Sequence, residues 1–132
     1  MKVLVACECS GIVRDAFTRQ GHDAWSCDLR PTENPGQHFQ GDVRSYLDRS
    51  WDLMIAHPPC THLTCSGARW FTSGHKPMSL REEALDFVKM LLEAPIPSIA
   101  LENPIGVISS SIRLPDQIIQ PYQFGHPVAK ST

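Results

Sequence analysis

The chain has 132 residues, 42% hydrophobic and 20% charged, with a formal net charge of -2. That balance excludes a disordered chain and argues against a sequence-independent grip on nucleic acid through net positive charge. The length suits one domain, 1–132. No apolar run approaches the roughly 18–20 residues that span a bilayer, so no membrane partner is expected. Met1-Lys2-Val3-Leu4-Val5-Ala6 enters a strand-like run at once rather than a secretory leader. A cytoplasmic chain with its five cysteines as reduced thiols is therefore expected.

In chain order, Lys2 to Cys7 predicts a first strand. Ser10 is placed to cap a helix after it, with Ile12, Val13, Ala16 and Phe17 facing the core, Arg14, Asp15 and Arg19 facing solvent, and Gly21 as terminator. His22 to Cys27 predicts a second strand closing at Asp28, and Pro31 to Gln40 reads as loop. Gly41-Asp42-Val43 opens a short helical turn through Leu47, before a strand over Trp51–Ala56. Residues 60–77 are polar and aromatic without a period, which predicts a long loop or lid. Ser79-Leu80-Arg81-Glu82 resembles a capping box for a helix that stops before Pro95. A strand over Ser98–Leu101 comes next, and Ile118-Ile119 is a weak strand candidate. Strands alternating with helices predict an α/β fold with a mostly parallel sheet and no internal repeat or domain boundary.

The residues able to do chemistry gather where these strands end. Pro58-Pro59-Cys60-Thr61 closes one apolar run and Glu102-Asn103-Pro104 another. Carboxyl ends of parallel strands are where open sheets place their sites. A thiol and a carboxyl group facing one crevice suggest covalent catalysis, with Cys60 as nucleophile and Glu102 as proton donor. His57 or His62 could lower the Cys60 pKa or accept its proton. In the first loop Gly11 would let backbone approach a cofactor, although an ordinary tight turn explains a single glycine as well. Asp28 is placed to bind ribose hydroxyls, or is an exposed strand-end acid; Asp42 could accept from an exocyclic amine, or cap the turn after it. Arg69, Trp70, Phe71 and Lys76 offer stacking and phosphate contacts to an unstacked base, or simply pack their loop. His57, Cys60, His62 and Cys65 also have a spacing that could hold zinc, but Pro58-Pro59 hinders wrapping an ion, so no metal is assigned.

These residues occur in the order found in DNA cytosine-5 methyltransferases. Val3 to Gly11, Asp28, Gly41-Asp42-Val43, Pro59-Cys60 and Glu102-Asn103-Pro104 resemble that family's motifs. With Gln123-Phe124-Gly125-His126-Pro127, nearly the whole chain resembles small phage and bacterial proteins of this methylase type. The resemblance implies a Rossmann-like methyltransferase sheet; the short stretch after Leu101 leads us to expect that it lacks part of the family's C-terminal hairpin and carries no separate target-recognition domain. It implies S-adenosylmethionine as cofactor, with Asp28 at the ribose, Asp42 at the adenine amine, and Ala6, Cys7, Glu8, Ser10, Gly11, Leu29, Val43 and Pro58 around it. It further implies that Cys60 adds to a cytosine flipped out of DNA and Glu102 serves its ring nitrogen, with Pro59, Thr61, Asn103 and Arg69 contacting substrate.

The chain departs from the larger enzymes at Cys7-Glu8-Cys9-Ser10, which replaces a glycine-rich loop, at Thr61, where glutamine is usual, and at Pro104, where valine is. His57-Pro58-Pro59 is also similar to a motif of amino-methyltransferases, which use no thiol. A non-catalytic binding protein is the third reading. With the outer hairpin missing, Ser98–Leu101 would be an open edge, and a homodimer through that edge or another partner is expected.

Overall fold

The apolar runs become strands, and each pairs in parallel with its neighbour. The computed structural model describes residues 1–65 and 68–132. Strands β1 (Lys2–Ala6), β2 (Asp23–Asp28), β3 (His38–Gln40), β4 (Leu53–Ala56) and β5 (Ser98–Leu101) form an all-parallel sheet ordered β3-β2-β1-β4-β5. Among the described residues the α-helices are α1 (Ile12–Arg19), α2 (Ala68–Thr72), α3 (Met78–Leu92) and α4 (Ile108–Ser111), so the chain is α/β. The described residues include no helix long and apolar enough to cross a membrane. The chain forms two compact units: Met1–Pro58 with Leu91–Glu102, and Pro59–Met90 with Asn103–Thr132.

The first unit holds the sheet. Val3, Ala24 and Leu53 are in register, as are Val5 and Ile55, and Val13 and Phe17 of α1 pack on that face. Leu4, Met54, Ala6 and Ala56, on the opposite face, are fully buried too. Burial on both faces is why these strands read as continuous apolar runs rather than alternating ones.

Helix α1 differs from its expected amphipathic pattern. Ile12 is 66% exposed, whereas Arg14 is 1% exposed. The Arg14 guanidinium donates all five of its N–H groups. Nε bonds Asp15 Oδ1 at 2.8 Å, and Nη1 bonds Ser26 Oγ at 3.2 Å and Thr32 Oγ1 at 3.1 Å. Nη2 bonds the carbonyls of Asn34 at 3.0 Å and Pro35 at 3.3 Å. A buried charge persists only when satisfied in this way. Two glycines make room for it: a Cβ at Gly11 would lie 2.4 Å from Nη2, and one at Gly36 would lie 2.6 Å from Cζ. The expected cap also moves. Gly11, at φ 74°, is the N-cap, and the first-turn N–H groups of Val13 and Arg14 are taken by the buried carboxylate of Glu8, at 2.7 and 3.2 Å. Ser10 Oγ supports Glu8 Oε1 from 3.1 Å and accepts the Ile12 N–H at 3.3 Å.

Three further expectations change. Residues 38–40, expected as loop, form β3, where Phe39 stacks between Trp25 and Tyr46 at ring separations of 4.5 and 4.3 Å. Part of the expected long loop is α2, and α3 begins at Met78, so Ser79 lies inside the helix rather than at its cap. Ile118-Ile119 forms no strand; the Ile119 backbone instead exchanges a reciprocal hydrogen-bond pair with Thr132 at 2.9 and 3.1 Å.

Replacing Arg14 with Met should strand its acceptors and lower stability by about 3 kcal/mol or more. Gly36→Ala should lower it less, by displacing the guanidinium. Urea denaturation of the two variants checks both size and order.

Candidate functional site

All strands run the same way, so their carboxyl ends share one edge of the sheet, and the order reverses between β1 and β4. At the end of β1, Cys7 adopts φ 61°. A non-glycine residue held in this region costs of order 1–3 kcal/mol, and such residues cluster at functional sites. Cys7 and Cys27 have acidic neighbours. Burial pushes the Cys7 thiol from its ordinary 9.0 up to about 12, with Asp28, Cys27 and Asp42 adding to the rise and Arg44 opposing it. Burial raises Cys27 from 9.0 to about 11, again helped by Asp28 and Asp42.

The two acids emerge from neighbouring strands. Asp28 closes β2; its carboxylate accepts the Arg30 N–H at 2.9 Å, and its side chain is 18% exposed. Asp42 lies just past β3 and caps the 3-10 turn Val43–Tyr46, accepting Arg44 N–H at 3.0 Å and Arg44 Nη1 at 2.8 Å. The backbone bond from Arg44 is the main cause of a lowered Asp42 pKa, with the Arg44 side chain assisting and desolvation opposing. The capping reading of Asp42 is therefore what its local bonds show. Ala6 and Val43 are buried, and Leu29 is exposed next to Asp28 in the chain. Gly11 does not offer an open approach, because the space beside it holds the Arg14 guanidinium.

On the other half of the sheet, His57 and Glu102 come directly after β4 and β5. Their backbone N–H groups donate to Ala6 at 3.0 Å and to Ala56 at 2.9 Å, extending the ladders one step past the strands. His57 Nδ1 lies 3.3 Å from Glu102 Oε2. Spacing along the chain offers His57 to Cys60; the structure pairs it with Glu102. Pro58 is buried.

In the second unit, Pro59 and Thr61 are exposed and Cys60 is half-buried. The Cys60 carbonyl accepts from Leu63 and Thr64 at 3.0 and 3.2 Å, forming a turn. Immediately after it the chain is stitched to residues 105–107. Thr64 bridges Gly106, Val107 N–H donates to Leu63 O at 2.8 Å, and Cys65 N–H donates to Ile105 O at 3.4 Å. Only glycine fits at that crossing, since a Cβ at Gly106 would sit 1.9 Å from Leu63 O. Sequence reasoning missed Gly106, because its constraint comes from the backbone of Leu63, distant in the chain.

Helix α2 separates the expected base-contacting residues. Phe71 is buried beneath the Arg81 guanidinium, 4.1 Å away, and the His62 ring meets it edge-on at 6.0 Å. Trp70 is 41% exposed, with the Arg69 guanidinium 4.8 Å above its ring. Phe71 thus packs its segment, while Arg69 and Trp70 face outward. The units also differ in charge: the sheet unit carries six Lys/Arg against ten Asp/Glu, and the Cys60 unit six against four. Among the described residues no three His, Cys, Asp or Glu side chains are grouped as a metal would need. Compared with known protein families, curated proteins and solved structures, the chain has no match in any of the three.

The thiols should differ in reactivity. Alkylation of the folded protein should modify exposed Cys65 and half-buried Cys60 before Cys7 and Cys27, as read by peptide mass spectrometry. Folding raises the Cys7 and Cys27 pKa values, so the stability linked to these protons is whole below about pH 9 and lost as pH rises toward about 11 to 12. Urea midpoints should fall across that window, and Cys7→Ala should flatten the fall.

Proposed function

We propose that the chain is a Rossmann-like, S-adenosylmethionine-dependent methyltransferase acting on carbon 5 of cytosine in DNA through a Cys60 adduct. One observation carries the reading: Cys7, Asp28, Asp42, His57 and Glu102 all lie at or just past the carboxyl ends of strands in a single parallel sheet, and Pro58-Pro59-Cys60 follows His57 directly in the chain. The residues fit the cofactor in part. Asp28 and Asp42 supply carboxylates at adjacent strand ends, suited to ribose hydroxyls and an adenine amine. The first loop contributes less than in a glycine-rich turn, because Glu8 occupies the N–H groups of α1 and Arg14 occupies the space beside Gly11. The cofactor would therefore be held mainly from the ends of β2 and β3, with Leu29 and Val43 beside it. When bound it would supply an electrophilic methyl group on a sulfonium.

The chain's own groups would then divide the work. The Cys60 sulfur, as thiolate, forms a bond to carbon 6 of the flipped base, and Glu102 delivers its proton to ring nitrogen 3 as the ring electrons shift toward carbon 5. To close the cycle the hydrogen of carbon 5 would leave as a proton to solvent water, its electron pair re-forming the carbon 5–carbon 6 double bond as the sulfur–carbon bond breaks and the Cys60 thiolate is regenerated. Glu102 then recovers its proton from nitrogen 3. Arg69, Pro59, Thr61 and Asn103 would position the base and its strand. The relative excess of cations in the Cys60 unit suits contact with phosphates.

The second reading, a cofactor- or partner-binding homologue without turnover, is favoured by two observations. β5 is an edge strand with Ser98 and Ala100 exposed, and Leu114, Ile118, Tyr122, Phe124 and Val128 of the second unit are exposed as well. Pairing of β5 with a second copy would cover the edge.

Calorimetry should show S-adenosylmethionine and S-adenosylhomocysteine binding with micromolar affinity. Asp42→Ala should abolish it, while Asp42→Asn, which keeps the capping acceptor, serves as the folding control. DNA carrying 5-fluorocytosine should form an adduct stable to denaturation, because fluorine cannot leave as hydrogen does, and Cys60→Ala should form none. Cofactor binding without any adduct would overturn the thiol mechanism in favour of the binding protein.

A further inference from the structure

We propose that His57 is a positioning residue for Glu102: a neutral imidazole with its proton on Nδ1, donating to Glu102 Oε2 and so confining the transferable proton of that carboxyl group to Oε1. The catalytic half of this inference rests on the methyltransferase reading; the tautomer does not.

The backbone places the pair. His57 N–H to Ala6 O and Glu102 N–H to Ala56 O are continuations of neighbouring ladders, so the two residues are held side by side by β1, β4 and β5. Nδ1 lies 3.3 Å from Oε2. The opposite ring nitrogen decides the protonation state. Nε2 is enclosed and has no hydrogen-bond partner among the described residues. An imidazolium would leave an orphaned N–H there and a half-buried charge with it, and the Nε2–H tautomer would leave the same orphaned donor. A buried donor without an acceptor is rarer and costlier than an acceptor left bare. The Nδ1–H tautomer leaves only a bare acceptor at Nε2 and makes the contact with Oε2.

The contact engages one oxygen of the carboxyl group. With Oε2 accepting from Nδ1–H, the carboxyl proton resides on Oε1. When sulfur adds to carbon 6, the Oε1–H bond breaks, the proton passes to nitrogen 3, and the electron pair stays on the carboxylate. The Nδ1–H···Oε2 bond strengthens as that charge develops, which favours the transfer. The steps reverse when the thiol is eliminated, and His57 neither gains nor loses a proton.

The test uses the full chain labelled with nitrogen-15 histidine, with the His57 signals identified by their loss in His57→Asn. At neutral pH the long-range proton–nitrogen spectrum should show Nδ1 protonated and Nε2 bare. Two protonated nitrogens, or an Nε2–H ring in the intact protein, would overturn the assignment. Methyl transfer gives the second arm. His57→Ala should lower kcat roughly 10- to 100-fold, the loss expected for one hydrogen bond to a developing charge, with KM for DNA little changed. Asn sets an amide donor where Nδ1–H stood, so His57→Asn should recover most of the rate. Equal losses in the two variants would overturn the positioning role. A wild-type chain that methylates nothing would sink the enzymatic reading, and the nitrogen spectrum would still decide the tautomer.

Discussion

The Arg14 guanidinium sits in the interior with Asp15, itself partly exposed, as its ion-pair partner. Its cost of desolvation is offset only because every N–H finds an acceptor on α1, β2 or the loop over residues 32–35. That loop lacks an apolar anchor of its own and is clamped by the arginine. The clamp in turn sets β3 beside β2, with Ser26 Oγ also meeting His38 Nδ1 at 2.8 Å. Asp42 lies two residues past the end of β3, so the position of a candidate cofactor carboxylate depends on a charge buried beneath the first helix.

Much of the sheet is legible because burial on both faces writes itself as unbroken apolar sequence. β1 and β4 announce themselves this way, β5 shows only as a short apolar run with Ser98 and Ala100 exposed, and the residues at the ends of β2, β4 and β5 bring Asp28, Cys60 and Glu102 to notice. The siding of α1 is not legible, because hydropathy assigns arginine to water and nothing local says that five acceptor contacts will converge on Arg14. β3 escapes notice because three residues after a Pro- and Gly-containing stretch are too short to show a period. Its hold comes from pairing with β2 and from the Phe39 stack. The pairing of His57 with Glu102 is a matter of register, which only strand order and ladder phase reveal. Gly106 is invisible in the sequence because its need is a backbone crossing, not a turn.

The site residues also divide by the work they do locally. Glu8, Ser10 and Asp42 hold helical termini, Phe71 fills space, and Ala6, Val43 and Pro58 are buried. Cys60, Thr61, Arg69 and Trp70 keep side chains turned outward or half open, and Glu102 is half-buried beside His57.

The phase of the ladders also bears on how the chain folds. Lys2 pairs with Asp23 across one short helix, whereas Val3 meets Leu53 and Leu53 meets Ser98 only after long excursions. Loop closure therefore costs the central pairing more entropy than the first one. During synthesis β1, α1 and β2 can associate while the rest of the chain is still unmade, offering β1's second edge as a waiting template. The central strand of the finished sheet is then the oldest, and each later strand is admitted to a surface already built.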